Sequence, residues 1–172
     1  MAKKLVDIFL GLFGGLVSTM LGKYVFIFIL SLLPILELRG GLIAASLLDM
    51  PMWSSLLVCL LSNILIIPFV LFLVEGILNL LSKIKPIRKV IDWLKKKTLS
   101  KKDIIEKYGY LGVMLFVGVP LPGSGAWTGC FLAVLLGLDK KKSFLAALFG
   151  VLIAAVIMLI FSYGLLKGVF NL

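Results

Sequence analysis

Long apolar segments separated by short polar stretches run the length of this 172-residue sequence. The apolar segments cover residues 5–21, 25–48, 53–81, 111–138 and 144–166. A helix needs about 20 apolar residues to cross a bilayer, and these segments are close to that length or exceed it. The pattern therefore predicts an all-α integral membrane protein.

The segment 111–138 carries no charge, but its centre does not suit a helix. From Val119 to Gly129 it reads VPLPGSGAWTG, with two prolines that lack an N–H and glycines that favour unusual dihedrals. Broken backbone is tolerated in hydrocarbon only where protein buries it or where it lines a cavity. We expect a re-entrant hairpin with 120–128 at its tip; a single proline-kinked transmembrane helix is the alternative.

The segment 25–48 is interrupted in the same way, by LLPILELRGG. A charge at mid-membrane costs about 2.5–3.5 kcal/mol on insertion scales, so Glu37 and Arg39 argue for a second hairpin. They would not face each other on a regular helix. At a non-helical tip they either pair or each contact the opposite hairpin. The functional interpretation is that Glu37 carries a proton and Arg39 holds an anionic group; a purely structural ion pair is the alternative.

Both halves of the chain read as a broken hairpin, a turn containing Asp49 or Asp139, and a long apolar helix. The predicted layout is an N-terminal helix (1–24), a first repeat (25–82), a basic amphipathic linker helix (83–107) and a second repeat (108–172). The first helix either spans the membrane or lies in its interface. A cytoplasmic N-terminus and linker satisfy the positive-inside rule and invert one repeat relative to the other. The predicted location is a bacterial-type plasma membrane, crossed several times.

Composition supports this class, because 62% of residues are hydrophobic and only 15% are charged. The net charge of +10 comes from lysines that flank apolar segments, which predicts contact with membrane lipids and not with nucleic acid. There is no His, so no Ser/His or Cys/His nucleophile exists, and we expect neither an enzyme, a metal site nor a cofactor. Cys59 and Cys130 are expected to be packing residues, and Asn63 to contact a neighbouring helix or line a substrate path. Glycine faces on the first helix would suit a homodimer.

The run EKYGYLGVMLFVGVPLPGSGAWTG, residues 106–129, resembles the second hairpin of the DedA/VTT-domain superfamily. From about residue 25 to 166 the chain is more similar still to the small multidrug export protein family. The resemblance implies hairpins packed tip to tip and transport driven by a proton or ion gradient. Relatives in the superfamily carry polyprenyl-phosphate lipids or scramble phospholipids. DedA proteins place arginines where this chain has Gly118 and Ala126, which leaves Arg39 to hold an anion.

Together these features predict a proton-coupled secondary transporter that works by alternating access at the joined tips. The expected substrate is amphipathic or anionic, of the polyprenyl-phosphate type; a multidrug exporter and a passive lipid scramblase are the alternatives. Glu37 is the predicted proton-coupling residue, since burial favours its neutral form. The predicted substrate-binding residues are Arg39, Gly40, Pro120, Pro122, Gly123, Ser124, Gly125, Trp127 and Thr128.

Overall fold

The computed structural model describes Gly15, residues 17–74, Gly76, residues 92–93, Lys96, Leu99, and residues 102–121 and 123–166. Within these ranges the chain forms seven α-helices and no strand, which confirms the all-α prediction. The helices are α1 (Met20–Leu32), α2 (Glu37–Leu47), α3 (Met52–Pro68), α4 (Asp103–Tyr108), α5 (Tyr110–Gly118), α6 (Ala126–Leu135) and α7 (Lys140–Leu159). Two π-helices continue the long helices, Phe69–Val74 after α3 and Ile160–Leu166 after α7.

Several predicted features fall largely or wholly outside the described residues. They are the N-terminal helix up to residue 14, most of the basic linker and Pro122. The first helix that is described, α1, begins earlier than the predicted boundary at Val25. The Thr19 hydroxyl accepts a hydrogen bond from the Gly22 N–H and caps the helix there. Lys23 does not interrupt α1, because its ammonium group donates to the Leu48 carbonyl, 2.9 Å away.

Two helical stretches of the described chain are long and apolar enough to cross a membrane, Met52–Leu73 with 22 residues and Lys140–Gly164 with 25. The first contains Pro68, whose missing N–H disturbs the i→i−4 ladder, and the π-helix starts at the next residue. The second is capped by Asp139, whose side chain accepts from the Lys142 N–H at 2.9 Å. These stretches coincide with the predicted long helices at 53–81 and 144–166.

The shorter helices form two helix–break–helix units. In the first unit α1 and α2 flank the first break (33–36), and in the second α5 and α6 flank the second break (119–125). In each unit both helices, here called limbs, pack against each other and against the long helix that follows. Each second limb ends in the same turn. The matching bonds are Leu48 N–H to Ala44 O and Met50 N–H to Ala45 O in the first unit, and Leu136 N–H to Leu132 O and Leu138 N–H to Ala133 O in the second.

Close packing of small residues joins the helices. A Cβ placed on Gly150 of α7 would lie 2.7 Å from the Met114 carbonyl of α5, so the glycine allows these two backbones to approach. Cys59 and Cys130 are buried in the core, as expected for packing residues. Asn63 on α3 donates to the Ser31 carbonyl of α1 at 3.1 Å, which confirms the predicted contact to a neighbouring helix.

Candidate functional site at the junction of the two breaks

Residues that flank the first break contact the second break and α6, and the Glu37 carboxylate lies at the centre of this contact, here called the junction. Glu37 is the first residue of α2, and only 5% of its surface is exposed. One carboxylate oxygen accepts from the Ala126 N–H and the other from the Trp127 N–H, both at 3.1 Å. These are the first two amides of α6, which have no partner within their own helix. A buried acid from the first unit therefore caps a helix of the second unit, where the helix dipole favours negative charge.

Gly125 makes this approach possible. It precedes α6 with a φ of 144°, a conformation that side chains disfavour. A Cβ at this position would overlap the Glu37 carboxylate. Glu37 itself has a φ of 49°, which is uncommon for a residue other than glycine. Both backbone conformations therefore serve to bring the carboxylate onto the amides of α6.

Arg39 holds the other side of the second break. Its Nη1 donates to the carbonyls of Leu121 and Ser124, each at 2.9 Å. Its Nη2 donates to the Val119 carbonyl at 3.1 Å, to the Val117 carbonyl at 3.3 Å and to the Ser124 hydroxyl at 3.2 Å. The guanidinium thus neutralises the carbonyl end of α5, where a cation is favoured.

The placement of these two charges decides between the arrangements predicted for the tip. Glu37 contacts the amide end of α6, whereas Arg39 contacts the carbonyl end of α5 and the second break. Each charged side chain therefore contacts the opposite unit through its own set of partners, which is the second of the two predicted arrangements.

The Trp127 side chain, which belongs to the second unit, binds the first unit. Its indole N–H donates to the carbonyl of Leu32, the last residue of α1, at 3.0 Å. Its ring packs edge-on against Phe69 of the π-helix, with centroids 6.0 Å apart. When the two units are aligned on the turns that end their second limbs, Trp127 aligns with Arg39 and Gly125 aligns with Glu37. The same position in each unit therefore binds the carbonyl end of the other unit's first limb.

The other predicted binding residues surround this contact. The Ser124 hydroxyl lies 2.9 Å from the Val119 carbonyl and 2.8 Å from the Leu121 carbonyl, so it folds the break back on itself. Pro120 and Gly123 are exposed in the break. Gly40 and Thr128 are half-buried on α2 and α6. The structure thus brings Ser124, Gly125 and Trp127 together with both charges.

Sequence reasoning missed the acceptors that Arg39 and Trp127 use. They are main-chain oxygens, and no residue type marks them. Phe69 was also missed as a partner of the Trp127 ring. The signal that was available is Pro68, because a proline inside an apolar helix predicts a local change in helix geometry.

Chemically, the junction offers a carboxyl group that can exchange a proton, a guanidinium and several main-chain dipoles. No three His, Cys, Asp or Glu residues of the described part of the chain lie together in a way that could hold a metal ion.

The chain was compared with known protein families, curated proteins and solved structures. The sequence model of one family, described as "Putative small multi-drug export protein", matches residues 37–157. This match covers well over half of the chain; it begins directly after the first break and contains the second break. No curated protein and no solved structure matches the chain. Placement in the wider DedA/VTT-domain superfamily stays a prediction. The chain belongs to the small multi-drug export protein family, whose name and the two long apolar helices indicate a membrane transporter.

Proposed function

We propose that this protein is a secondary transporter that exports small amphipathic molecules, and that a proton taken up by Glu37 drives the opening of the junction. The observation that carries the proposal is a buried carboxylate that holds two packed units together through the first amides of α6. Buried ionisable groups within membrane segments commonly mark ion or substrate pathways.

The proposal places both breaks near the middle of the bilayer as tips of re-entrant hairpins. The four limbs have 13, 11, 9 and 10 residues. At about 1.5 Å per residue they are roughly 14–20 Å long, about half of a hydrocarbon core of about 30 Å. The packing of each first limb against its second limb supports a path that enters and returns. The mutual contact of Glu37 with Gly125, which hold equivalent positions, supports two units of opposite orientation.

Protonation of Glu37 would weaken the junction by a calculable amount. An ionised carboxylate only accepts hydrogen bonds, whereas a protonated one presents an O–H to one of the two N–H donors. Bonds to charged groups contribute about 1.5–3 kcal/mol each and neutral ones about 0.5–1.5 kcal/mol. One bond is then lost and the other becomes neutral, which removes about 2.5–4.5 kcal/mol and changes a conformational equilibrium by roughly 70-fold or more. This loss drives opening provided that Glu37 stays out of water when α6 is released, because burial favours its protonated form and exposure to water would favour the ionised one.

The surfaces beside the junction favour an amphipathic substrate. Ile35 in the first break is 93% exposed and Leu121 in the second is 54% exposed, so apolar side chains border the charged contact. A polyprenyl-phosphate lipid is the less favoured substrate. Its phosphate would need the Arg39 fork, which already binds carbonyls of the second break.

The test is flux in proteoliposomes with an imposed pH gradient, using the lipophilic cation ethidium and a fluorescent anionic phospholipid as probes. We expect the gradient to drive ethidium movement, and Glu37→Gln to remove its dependence on the gradient. Glu106→Gln is the matched control, because Glu106 is an exposed acid on α4 that pairs with Lys102 at 2.8 Å. That variant should transport as the original protein does.

Three outcomes would count against the proposal. Phospholipid movement that ignores the gradient would indicate a passive scramblase. Gradient-driven phospholipid movement that is lost in Arg39→Ala would indicate a lipid-phosphate carrier. A Glu37→Gln variant that keeps its gradient dependence would show that the proton binds elsewhere.

A further inference from the structure

Trp127 connects the proposed proton site to the opposite side of the junction. Its backbone N–H donates to the Glu37 carboxylate at 3.1 Å, while its indole N–H donates to the Leu32 carbonyl of α1 at 3.0 Å. One residue thus contacts both the acid of the first unit and the end of that unit's first limb. Any movement of the Trp127 backbone away from Glu37 also moves the group that binds α1.

The equivalent residue of the first unit has a different set of contacts. Arg39 binds four carbonyls and one hydroxyl of the second unit, and none of these partners is bonded to Glu37. Trp127 binds a single carbonyl through one N–H, with its ring resting on Phe69. The two equivalent contacts are therefore unequal in strength. The weaker one is attached directly to the carboxylate.

We propose that the Trp127 indole holds the first break closed, and that protonation of Glu37 releases it. When Glu37 gives up the start of α6, the Trp127 indole leaves the Leu32 carbonyl and the first break opens, while Arg39 keeps the second break closed. This inference rests on the proposed function and assigns a positioning role to Trp127. It also predicts which of the two breaks becomes accessible first.

Few charged or titratable groups other than Glu37 lie near the junction and could make its opening depend on pH. Within the described chain, the charged and titratable groups that act on Glu37 are Arg39 on its own helix and the Cys130 thiol on α6. The one charged side chain of α1, Lys23, binds the Leu48 carbonyl at the far end of α2. No charged side chain lies on α3, and α7 carries its lysines in its first turn.

The π-helix after α3 extends the contact of Trp127 beyond the junction. Phe69 begins this π-helix, and the Lys140 ammonium at the start of α7 lies 5.8 Å from the ring centre of Phe72 in the same segment. Short π-helical segments often occur where helices change shape for function. The Trp127 ring thus packs on a segment that continues α3 and also contacts the start of α7.

The test uses single cysteines as reporters of water access at the two breaks. Leu36→Cys, at a half-buried position, reports on the first break and Leu121→Cys on the second, and each is labelled in membranes with a membrane-impermeant maleimide. The same two reporters in the Glu37→Gln background correct the ratio of the two labelling rates for the pH dependence of each thiol, because thiolate formation depends on the surroundings of the cysteine. Cys59 and Cys130 are buried, and the chain without an added cysteine gives their background.

We expect the first-break to second-break ratio to rise several-fold when the buffer changes from mildly alkaline to mildly acidic. Trp127→Phe keeps a ring against Phe69 but lacks the indole N–H, so its ratio should be high at both pH values. Arg39→Lys, which keeps the charge but not the fork, should raise labelling of the second break instead.

The inference fails if Trp127→Phe leaves the ratio low and pH-responsive, or if it raises labelling of both breaks equally, as a general loss of packing would. Those results leave gradient-driven flux and its loss in Glu37→Gln untouched. The proposed function would instead fail in the flux assay, even if the labelling ratio responded as expected.

Discussion

Gly125→Ala is the most direct perturbation of the junction, because it adds one methyl group where the Glu37 carboxylate lies. The φ of 144° and ψ of −173° at Gly125 fall in a region that is essentially restricted to glycine, which costs of order 1–3 kcal/mol for another residue. The added Cβ would also overlap the carboxylate and displace it. Loss of its two bonds to α6 adds about 1.5–3 kcal/mol each.

The expected cost is therefore about 4–9 kcal/mol, which is most of the stability of an ordinary domain at about 5–15 kcal/mol. A double-mutant cycle with Glu37→Ala separates the two contributions. Without the carboxylate, Gly125→Ala should cost only its backbone strain. The coupling between the two positions should then be about 3–6 kcal/mol, equal to the two displaced bonds.

The assay is equilibrium unfolding in mixed detergent micelles, followed by tryptophan fluorescence. Gly137→Ala is the matched control. Gly137 also has a positive φ, 69°, but no heavy atom lies within 4 Å of a Cβ placed there. Its cost should be about 1 kcal/mol, from strain alone, with or without Glu37. Equal costs of Gly125→Ala in both backgrounds would refute the claim that the carboxylate occupies this space.

Three further substitutions test the packing around the site by the same unfolding assay. Gly150→Ala should destabilise by about 1–3 kcal/mol, since α5 must move away from the new methyl group; Gly164→Ala, whose Cβ would be 3.9 Å from its nearest neighbour, should change little. Asn63→Leu should cost about 1 kcal/mol through loss of its bond to α1, and unchanged stability would contradict the role assigned to that bond. Asp139→Ala should cost about 1 kcal/mol as a lost helix cap, whereas Asp139→Asn should retain the cap and most of the stability.

The helices and their interruptions could be predicted from the sequence because each has a local cause. Apolar length predicts the long helices, and proline, glycine and charge predict where the helices of the two units stop. Glu37 and Arg39 stand out because charge within an apolar segment is costly. These signals need no knowledge of which elements touch.

The partners of those residues could not be predicted, since they depend on how the units pack. Binding of an anion by Arg39 stays a prediction; in the structure its fork binds main-chain oxygens of the second break, which any sequence would supply. The equivalence of Glu37 with Gly125 was hidden for another reason. The aligned aspartates suggested that Asp49 matches Asp139, whereas the turn bonds match Asp49 with Gly137. Both of these residues have a positive φ, so backbone conformation is repeated where residue identity is not.

The shared volume of positions 37 and 125 limits how alike the two halves of the chain can become. A side chain at one position fills the space that a side chain at the other would need. Acids at both would bring two carboxylates face to face, and such a pair retains a proton because both cannot ionise at once. If the halves arose by duplication of one unit, positions 37 and 125 had to diverge, with an acid kept or gained in only one copy. Under the proposed function, the junction then offers one exchangeable proton for each chain, however closely the surrounding helices repeat.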